Sequence, residues 1–240
     1  MSSVGQIEKK TQRRVVKLFR AQLGYDYLGD WTEREGNRNI EEALLRRFLR
    51  DTQGYDEALV TRALHDLDKV AGNTSKSLYD RNRDVYELLR YGVKVKAEVG
   101  ENTQTVWLID WKRPEKNHFA VAEEVTVTGS DVKAHTKRPD VVLYVNGIAL
   151  GVLELKRSTV SVAEGIRQNL DNQKKVFIER FFSTMQWVMA GNDTEGLRYG
   201  TIQTPEKYYL RWKEQSEVAR LPDSPLDRAL IQLCGKARFL

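Results

Sequence analysis

Cysteine and histidine are scarce in this sequence, and each shortage excludes a class of site. Cys234 is the single cysteine, so an internal disulfide is ruled out, which fits a reducing cytoplasm. The three histidines, His65, His118 and His135, are scattered and give no spacing typical of a zinc site. Packing or surface positions are therefore the expected roles of these four residues.

Long apolar runs are missing as well. No stretch approaches the roughly 20 residues of a membrane span, and the opening MSSVG is no signal peptide. We therefore expect a cytoplasmic protein without membrane contact. The 240 residues, 40% of them hydrophobic, can bury one good core, which predicts a single domain over 1–240. The net charge of +5 permits a polyanionic partner but does not identify one.

Two carboxylates and a lysine stand beside strongly apolar segments. Pro139-Asp140 precedes the apolar run 141–145, and Glu154-Leu155-Lys156 ends the apolar run 148–153. Segments that are apolar on both faces are typical of buried strands, and the strand period of two puts Glu154 and Lys156 on one face. Charges that continue a buried strand need partners. A metal ion with phosphate is one solution, and a solvated strand face is the alternative.

The turn between these two strands, Asn146-Gly147, decides whether the carboxylates meet. A two-residue loop would turn Asp140 away from Glu154. A three-residue loop over 145–147, with Gly147 at positive φ, places Asp140 diagonal to Glu154 on the same face. Magnesium commonly takes one or two protein carboxylates. A shared magnesium site therefore predicts the three-residue loop.

The chain is helical at the front, sheet-centred in the middle and mixed at the end. This order predicts an α/β fold in which helices flank a mixed β-sheet, with a helical N-terminal part and no internal repeat. The predicted helices cover 6–23, 38–50, 55–70, 76–90, 161–182, 205–215 and 225–235. The predicted strands cover 104–111, 119–128, 139–146, 148–156, 186–190 and 197–203, and the helix over 161–182 crosses over to the strand at 186–190.

Polar residues interrupt the inward faces of two predicted helices. The apolar stripe of the first helix, extended backwards by fours, reaches Gln12 and then Glu8. Glu8 points either to the metal site or simply to the favourable helix N-terminus. Gln168 and Asn172 are four apart and share a face of the crossover helix. Gln168 would hold Lys156 or a phosphate, unless both amides lie on the surface.

Basic residues cluster on the first predicted helix and before Asp140, besides Arg46, Arg47 and Arg50 at the end of the second predicted helix. The first predicted helix is crowded with Lys9, Lys10, Arg13, Arg14, Lys17 and Arg20. The approach to Asp140 carries Lys133, His135, Lys137 and Arg138. A solvated face is the expected role of the helical cluster. The second cluster leads straight into the predicted metal site, so we expect it to be the better candidate for contact with phosphate.

These residues together resemble a known family. Pro139-Asp140, Glu154-Leu155-Lys156 and Gln168 on the next helix resemble the PD-(D/E)XK nucleases, which have a restriction-endonuclease-like fold. The wider context resembles the N-terminal domain of the R (HsdR) subunit of type I restriction endonucleases over nearly the whole chain. That context comprises Ile7-Glu8 with Gln12, the stretch 23–29, the run 140–145 before Asn146-Gly147, and the ending Arg238-Phe239-Leu240.

The resemblance assigns a role to each site residue. It implies that Asp140 and Glu154 ligate Mg²⁺, that Lys156 is the catalytic lysine, and that Glu8 is a helical carboxylate near the metal. Gln168 would begin the Gln-X3-Tyr motif of the family. Asn172 stands where that motif has tyrosine, so the motif is incomplete here and the role of Asn172 stays open.

The function that the resemblance implies is Mg²⁺-dependent hydrolysis of double-stranded DNA, with a specificity (HsdS) subunit and modification (HsdM) subunits as partners. ATP would serve only a motor domain, and no Gly-X4-Gly-Lys-Ser/Thr loop occurs in this sequence. We therefore expect a nuclease domain excised from a longer chain. The alternatives are a repair or junction-cleaving nuclease of the same fold and a non-catalytic DNA-binding or docking module. An intact Asp140, Glu154 and Lys156 weighs against the second.

Overall fold

The front of the chain is mainly helical in the computed structural model. The structure describes residues 3–98, 100–129, 135–213 and 222–240, and it describes side chains only from residue 9 onward. Helix α1 spans Ser3–Ala21, α2 spans Glu42–Arg47 and continues as a π-helical turn over Phe48–Thr52, α3 spans Glu57–Ala71 and α4 spans Leu78–Tyr91. Asp56 and Ser77 cap α3 and α4 by accepting hydrogen bonds from Leu59 N and Asp80 N. The predicted helical N-terminal part is therefore confirmed.

A seven-stranded mixed sheet forms the centre of the fold. Its strands, in spatial order, are β1 (Asp26–Asp30), β4 (Phe119–Glu123), β5 (Val141–Val145), β6 (Ile148–Leu155), β7 (Trp187–Asn192), β8 (Gly196–Gly200) and β9 (Leu210–Arg211). The β1–β4 and β6–β7 pairs are parallel and the others are antiparallel. Strands β2 (Val93–Val95) and β3 (Gln104–Val106) form a separate antiparallel pair.

Helix α5 connects the parallel strands β6 and β7 and lies against both of them. It spans Val162–Asn172, and the Ser161 hydroxyl caps its N-terminus. All residues of β5 and β6 are buried, as expected for strands covered on both faces. Helices α6 (Pro225–Leu233) and α7 (Lys236–Phe239) end the chain, and α6 packs against α1 and β8. The predicted α/β fold with helices around a mixed sheet is confirmed.

Several predicted boundaries are wrong. The helix predicted over 161–182 ends at Asn172, because the chain turns there and places a 3₁₀ segment, Glu179–Thr184, with Phe181 and Phe182 in the core. Over 205–213, the described part of the helix predicted for 205–215, the chain forms a short 3₁₀ turn followed by the edge strand β9. Strand β1 was not predicted, because its sequence DYLGD contains few residues that favour strands.

The predicted three-residue loop between β5 and β6 is also wrong. Val145 pairs with Ile148, so the loop consists of Asn146 and Gly147 alone, both at positive φ (52° and 83°). The predicted positive φ of Gly147 is confirmed, and a Cβ atom there would lie only 2.7 Å from the Glu41 carbonyl oxygen.

A bulge in β6 compensates for the short loop. Tyr144 pairs with Ala149 but Leu143 pairs with Gly151, so Leu150 is the extra residue. The bulge advances the register by one residue, and Val141 therefore pairs with Leu153. Continued by one step, this register sets Asp140 directly opposite Glu154, on one face of the sheet.

Candidate active site

Asp140 and Glu154 form a carboxylate pair where β6 ends and β5 begins, with Glu154 buried and Asp140 half-buried. Asp140 Oδ2 accepts a hydrogen bond of 2.7 Å from Leu155 N, and Glu154 is only 1% exposed. Burial raises the pKa of Glu154 well above its usual range, and the neighbouring Asp140 charge raises it further, while Lys156 acts in the opposite direction. The predicted same-face arrangement is thus confirmed, with the bulge rather than the loop as its cause.

Lys156 links the carboxylate pair to the crossover helix. Its Nζ donates hydrogen bonds to Glu154 Oε1 (2.7 Å) and to Gln168 Oε1 (2.8 Å). The predicted contact between Gln168 and Lys156 is confirmed. Gly165 permits the close approach of α5, because a Cβ there would lie 3.1 Å from Ala190 Cβ and 3.4 Å from Glu154 Cγ. The lysine is consequently held from two sides, by β6 and by α5.

The oxygen atoms of the pair are suited to a hard divalent cation. Glu154 Oε2 is buried, and no hydrogen-bond donor within the described residues reaches it. A buried carboxylate oxygen without a donor is costly unless a cation or a proton satisfies it. Nowhere in the described parts do three or more His, Cys, Asp or Glu side chains form a metal-binding group. A donor set of two carboxylates fits Mg²⁺, which takes its remaining ligands from water and phosphate.

The carboxylate pair lies in an open cleft of about 510 Å³, which we call the active-site cleft. Besides Asp140, Glu154, Lys156 and Gln168, it is lined by Lys9, Gln12, Glu124, Thr126, Thr136, Lys137 and Arg138. Arg138 Nε lies 2.7 Å from Glu124 Oε2, and Lys137 Nζ lies 3.9 Å from the centre of the Phe177 ring. Lys137 and Arg138 thus line the cleft as predicted, whereas the predicted Lys133 lies outside the described residues.

The helix α1 contributes Gln12 to this cleft. Gln12 is buried, and its Nε2 donates to Glu123 Oε2 at 3.1 Å. The side chain of Glu8 lies outside the described part of the chain, so its placement near the metal stays a prediction. Sequence reasoning assigned no role to Gln12 or to the Glu123-Glu124 pair. The available signal was a pair of carboxylates at the end of an apolar strand.

Asn172 differs from Gln168, although both lie on α5. Asn172 is 1% exposed, so the alternative that it lies on the surface is wrong. Neither atom of its side-chain amide has a hydrogen-bond partner among the described residues. The structure gives no physical reason for an asparagine at this position.

A mixed sheet with a carboxylate pair, a neighbouring lysine and a crossover helix above them defines a restriction-endonuclease-like fold. The model of the family described as "Type I restriction enzyme R protein N terminus" matches residues 5–207. This chain belongs to that family.

Two relatives support the assignment. An endonuclease subunit assigned to the type I restriction enzyme MjaIXP of Methanocaldococcus jannaschii is 31% identical over 200 residues, which cover 80% of this chain and 19% of that protein. The endonuclease subunit of the type I restriction enzyme HindI of Haemophilus influenzae is 28% identical over 167 residues, which cover 65% of this chain and 15% of that protein. This chain thus spans less than a fifth of the length of the curated relatives it matches.

Proposed function

We propose that this chain is the DNA-cleaving domain of a type I restriction enzyme, which hydrolyses phosphodiester bonds with Mg²⁺ held by Asp140 and Glu154. The observation that carries the proposal is the pairing of Asp140 with the buried Glu154, one oxygen of which no described donor reaches. A module that only docks or binds DNA has no need of a buried Glu154 carboxylate beside the half-buried Asp140, because the two negative charges destabilise each other. The membership of the family supports the same conclusion.

The residues of the cleft have different roles in this reaction. A bound Mg²⁺ would supply the Lewis acidity that polarises the phosphate. The Lys156 ammonium, held by Glu154 and Gln168, positions the attacking water or stabilises the negative charge that develops on the phosphate oxygens. Gln168 acts as a positioning residue for Lys156. Lys137 and Arg138 stand on the cleft wall where the DNA backbone would lie.

The proposed function also includes a substrate and partner subunits. The substrate is double-stranded DNA, and a specificity subunit with modification subunits selects the target in the cytoplasm. Both relatives are named as endonuclease subunits of type I restriction enzymes. Among the helices that the structure describes, none has the length and apolar character for crossing a membrane. ATP hydrolysis would belong to a motor domain outside this sequence.

The test is Mg²⁺-dependent cleavage of plasmid DNA by the full-length subunit assembled with its partner subunits. Lys156→Ala should lower the cleavage rate by at least about 100-fold, the usual effect of removing a group that stabilises transition-state charge. Lys174→Ala is the matched control, because Lys174 is an exposed lysine near the end of α5 that pairs with Asp171. Cleavage by Lys156→Ala at the wild-type rate, or wild-type cleavage that persists in EDTA, would refute the proposal.

A further inference from the structure

Helix α1 has one side on which basic residues remain exposed. Lys9, Arg13, Lys17 and Arg20 follow one another at spacings of four, four and three residues, so they share one side of the helix. All four side chains are exposed. Together we call them the basic stripe. Arg14 lies on another side, where it pairs with Asp193 and Asp227.

The basic stripe begins in the active-site cleft and continues into a second groove. Lys9 lines the cleft that contains Asp140 and Glu154. Arg13, Lys17 and Arg20 line a neighbouring open groove of about 750 Å³. The hydrogen bond between Gln12 and Glu123 separates the two depressions, since Gln12 lines the first and Glu123 lines the second. One continuous basic surface therefore leads away from the carboxylate pair.

The acidic groups of the second groove already have partners. Glu123 accepts hydrogen bonds from Tyr27 Oη (2.5 Å) and Gln12 Nε2 (3.1 Å). Asp26 contacts His118 Nε2 at 2.9 Å. In the described part of the chain, no carboxylate lies within ion-pair distance of the four stripe cations. Among the described residues the stripe thus has no ion pair, and its one recorded ring contact sets the Arg20 guanidinium 5.0 Å from the centre of the Tyr27 ring.

Some other basic residues of the helical front have local acidic partners. Arg46 pairs with Glu42, Arg50 with Asp51, and Arg83 with Asp80. Such local ion pairs are usual on a solvated helix face. The sequence of α1 contains a single acidic residue, Glu8, against six basic ones. Helix α1 therefore carries more positive charge than its own single carboxylate can balance.

We propose that the basic stripe binds the phosphate backbone of the DNA duplex where it leaves the active-site cleft, independently of base sequence. From Lys9 to Arg20 the helix rises about 16 Å, which corresponds to roughly five base pairs. A polymeric anion matches this length, whereas a mononucleotide does not. The inference rests on the proposed function, because it takes DNA as the molecule in the cleft.

The test measures the binding of a 20-base-pair duplex of arbitrary sequence by fluorescence anisotropy at a series of salt concentrations. The buffer contains Ca²⁺ in place of Mg²⁺. The variant Arg13→Gln/Lys17→Gln/Arg20→Gln should bind at least about 10-fold more weakly at 0.1 M salt. The slope of log K against log [salt] should become shallower by about 2.7, or 0.9 for each lost phosphate contact. The control Arg46→Gln/Arg50→Gln/Arg83→Gln removes the same net charge and should stay within 2-fold of wild type.

Further variants keep the result interpretable. Arg13→Lys/Arg20→Lys retains the charge and should bind like wild type, which separates phosphate contact from damage to the fold. Equal losses in both glutamine variants, an unchanged salt slope, or no binding by the wild type would overturn the inference. A stripe variant that keeps its DNA affinity but no longer assembles with the other subunits would point instead to an acidic protein surface. Failure of the nuclease proposal is distinguishable, because a chain that binds through the stripe but never cleaves contradicts only the proposed function.

Discussion

Replacing Glu154 by glutamine should stabilise the metal-free protein, although it removes a proposed metal ligand. Burial and the Asp140 charge raise the pKa of Glu154 despite the attraction of Lys156, so the folded protein favours a neutral group at this position. The glutamine Oε1 atom can still accept a hydrogen bond from Lys156. The glutamine Nε2 amide takes the place of Glu154 Oε2, the buried oxygen that no donor among the described residues reaches. A buried polar atom without a partner costs about 1–3 kcal/mol. We expect a gain of about that size in the free energy of unfolding.

The assay is thermal unfolding in EDTA at neutral pH, monitored by circular dichroism. A gain of that size corresponds to a rise in Tm of roughly 2–12 °C for a domain of this length. Glu164→Gln is the matched control, because Glu164 is an exposed carboxylate of α5 paired with Arg167. Exposed pairs contribute only about 0–1 kcal/mol, so this variant should lose at most that amount.

The difference between wild type and Glu154→Gln should depend on pH in a definite direction. Below about pH 4.3, the ordinary pKa of glutamate, Glu154 is protonated in both the folded and the unfolded protein and carries no charge penalty. As the pH rises from there through the raised pKa of the folded state, the unfolded protein releases its proton more readily, and wild type loses stability relative to the variant. A variant that is no more stable than wild type at neutral pH, or a difference that does not grow with pH, would refute this reasoning.

Three further substitutions test the geometry of the site. Gly165→Ala should lower the unfolding free energy by about 1–3 kcal/mol in urea titrations, because the added Cβ would crowd Ala190; a gain from better helix propensity would contradict this. Gln168→Ala should reduce plasmid cleavage at least about 10-fold while changing Tm by less than about 4 °C, and the opposite ranking would remove its positioning role for Lys156. Gly147→Ala should cost about 2–4 kcal/mol, because alanine tolerates neither the φ of 83° nor the close packing there; unchanged urea stability would contradict the two-residue turn.

The sequence predicted the centre of the sheet well, because local patterns decide it. The apolar runs 141–145 and 148–153 identify β5 and β6, and Asn-Gly identifies their turn. The bulge at Leu150 was missed, although Gly151 offered a signal, since glycine inside a strand often marks a bulge. A Cβ on Gly151 would lie 3.0 Å from the Phe239 ring, and this long-range contact is invisible in local sequence.

The same limit explains what was missed in the candidate site. Strand spacing predicted that Glu154 and Lys156 share a face, but Asp140 joins them through the bulge at Leu150 and not through the predicted three-residue loop. The contact between Gln12 and Glu123 joins residues that are 111 positions apart. Helical or strand periodicity in the sequence does not indicate a contact over that separation. The exposed side of α1 was expected to be solvated, because the sequence alone does not reveal which basic residues have acidic partners.

The central claim is that Asp140 and Glu154 share one divalent cation. The most direct measurement is anomalous diffraction from crystals of the protein soaked in Mn²⁺, which substitutes for Mg²⁺ at oxygen sites. The account predicts an anomalous peak at coordination distance, roughly 2.1 Å, from an oxygen of Asp140 and from Glu154 Oε2, and no such peak in Asp140→Asn/Glu154→Gln. Density that is absent between the two wild-type carboxylates, or that persists unchanged in the double variant, would contradict it.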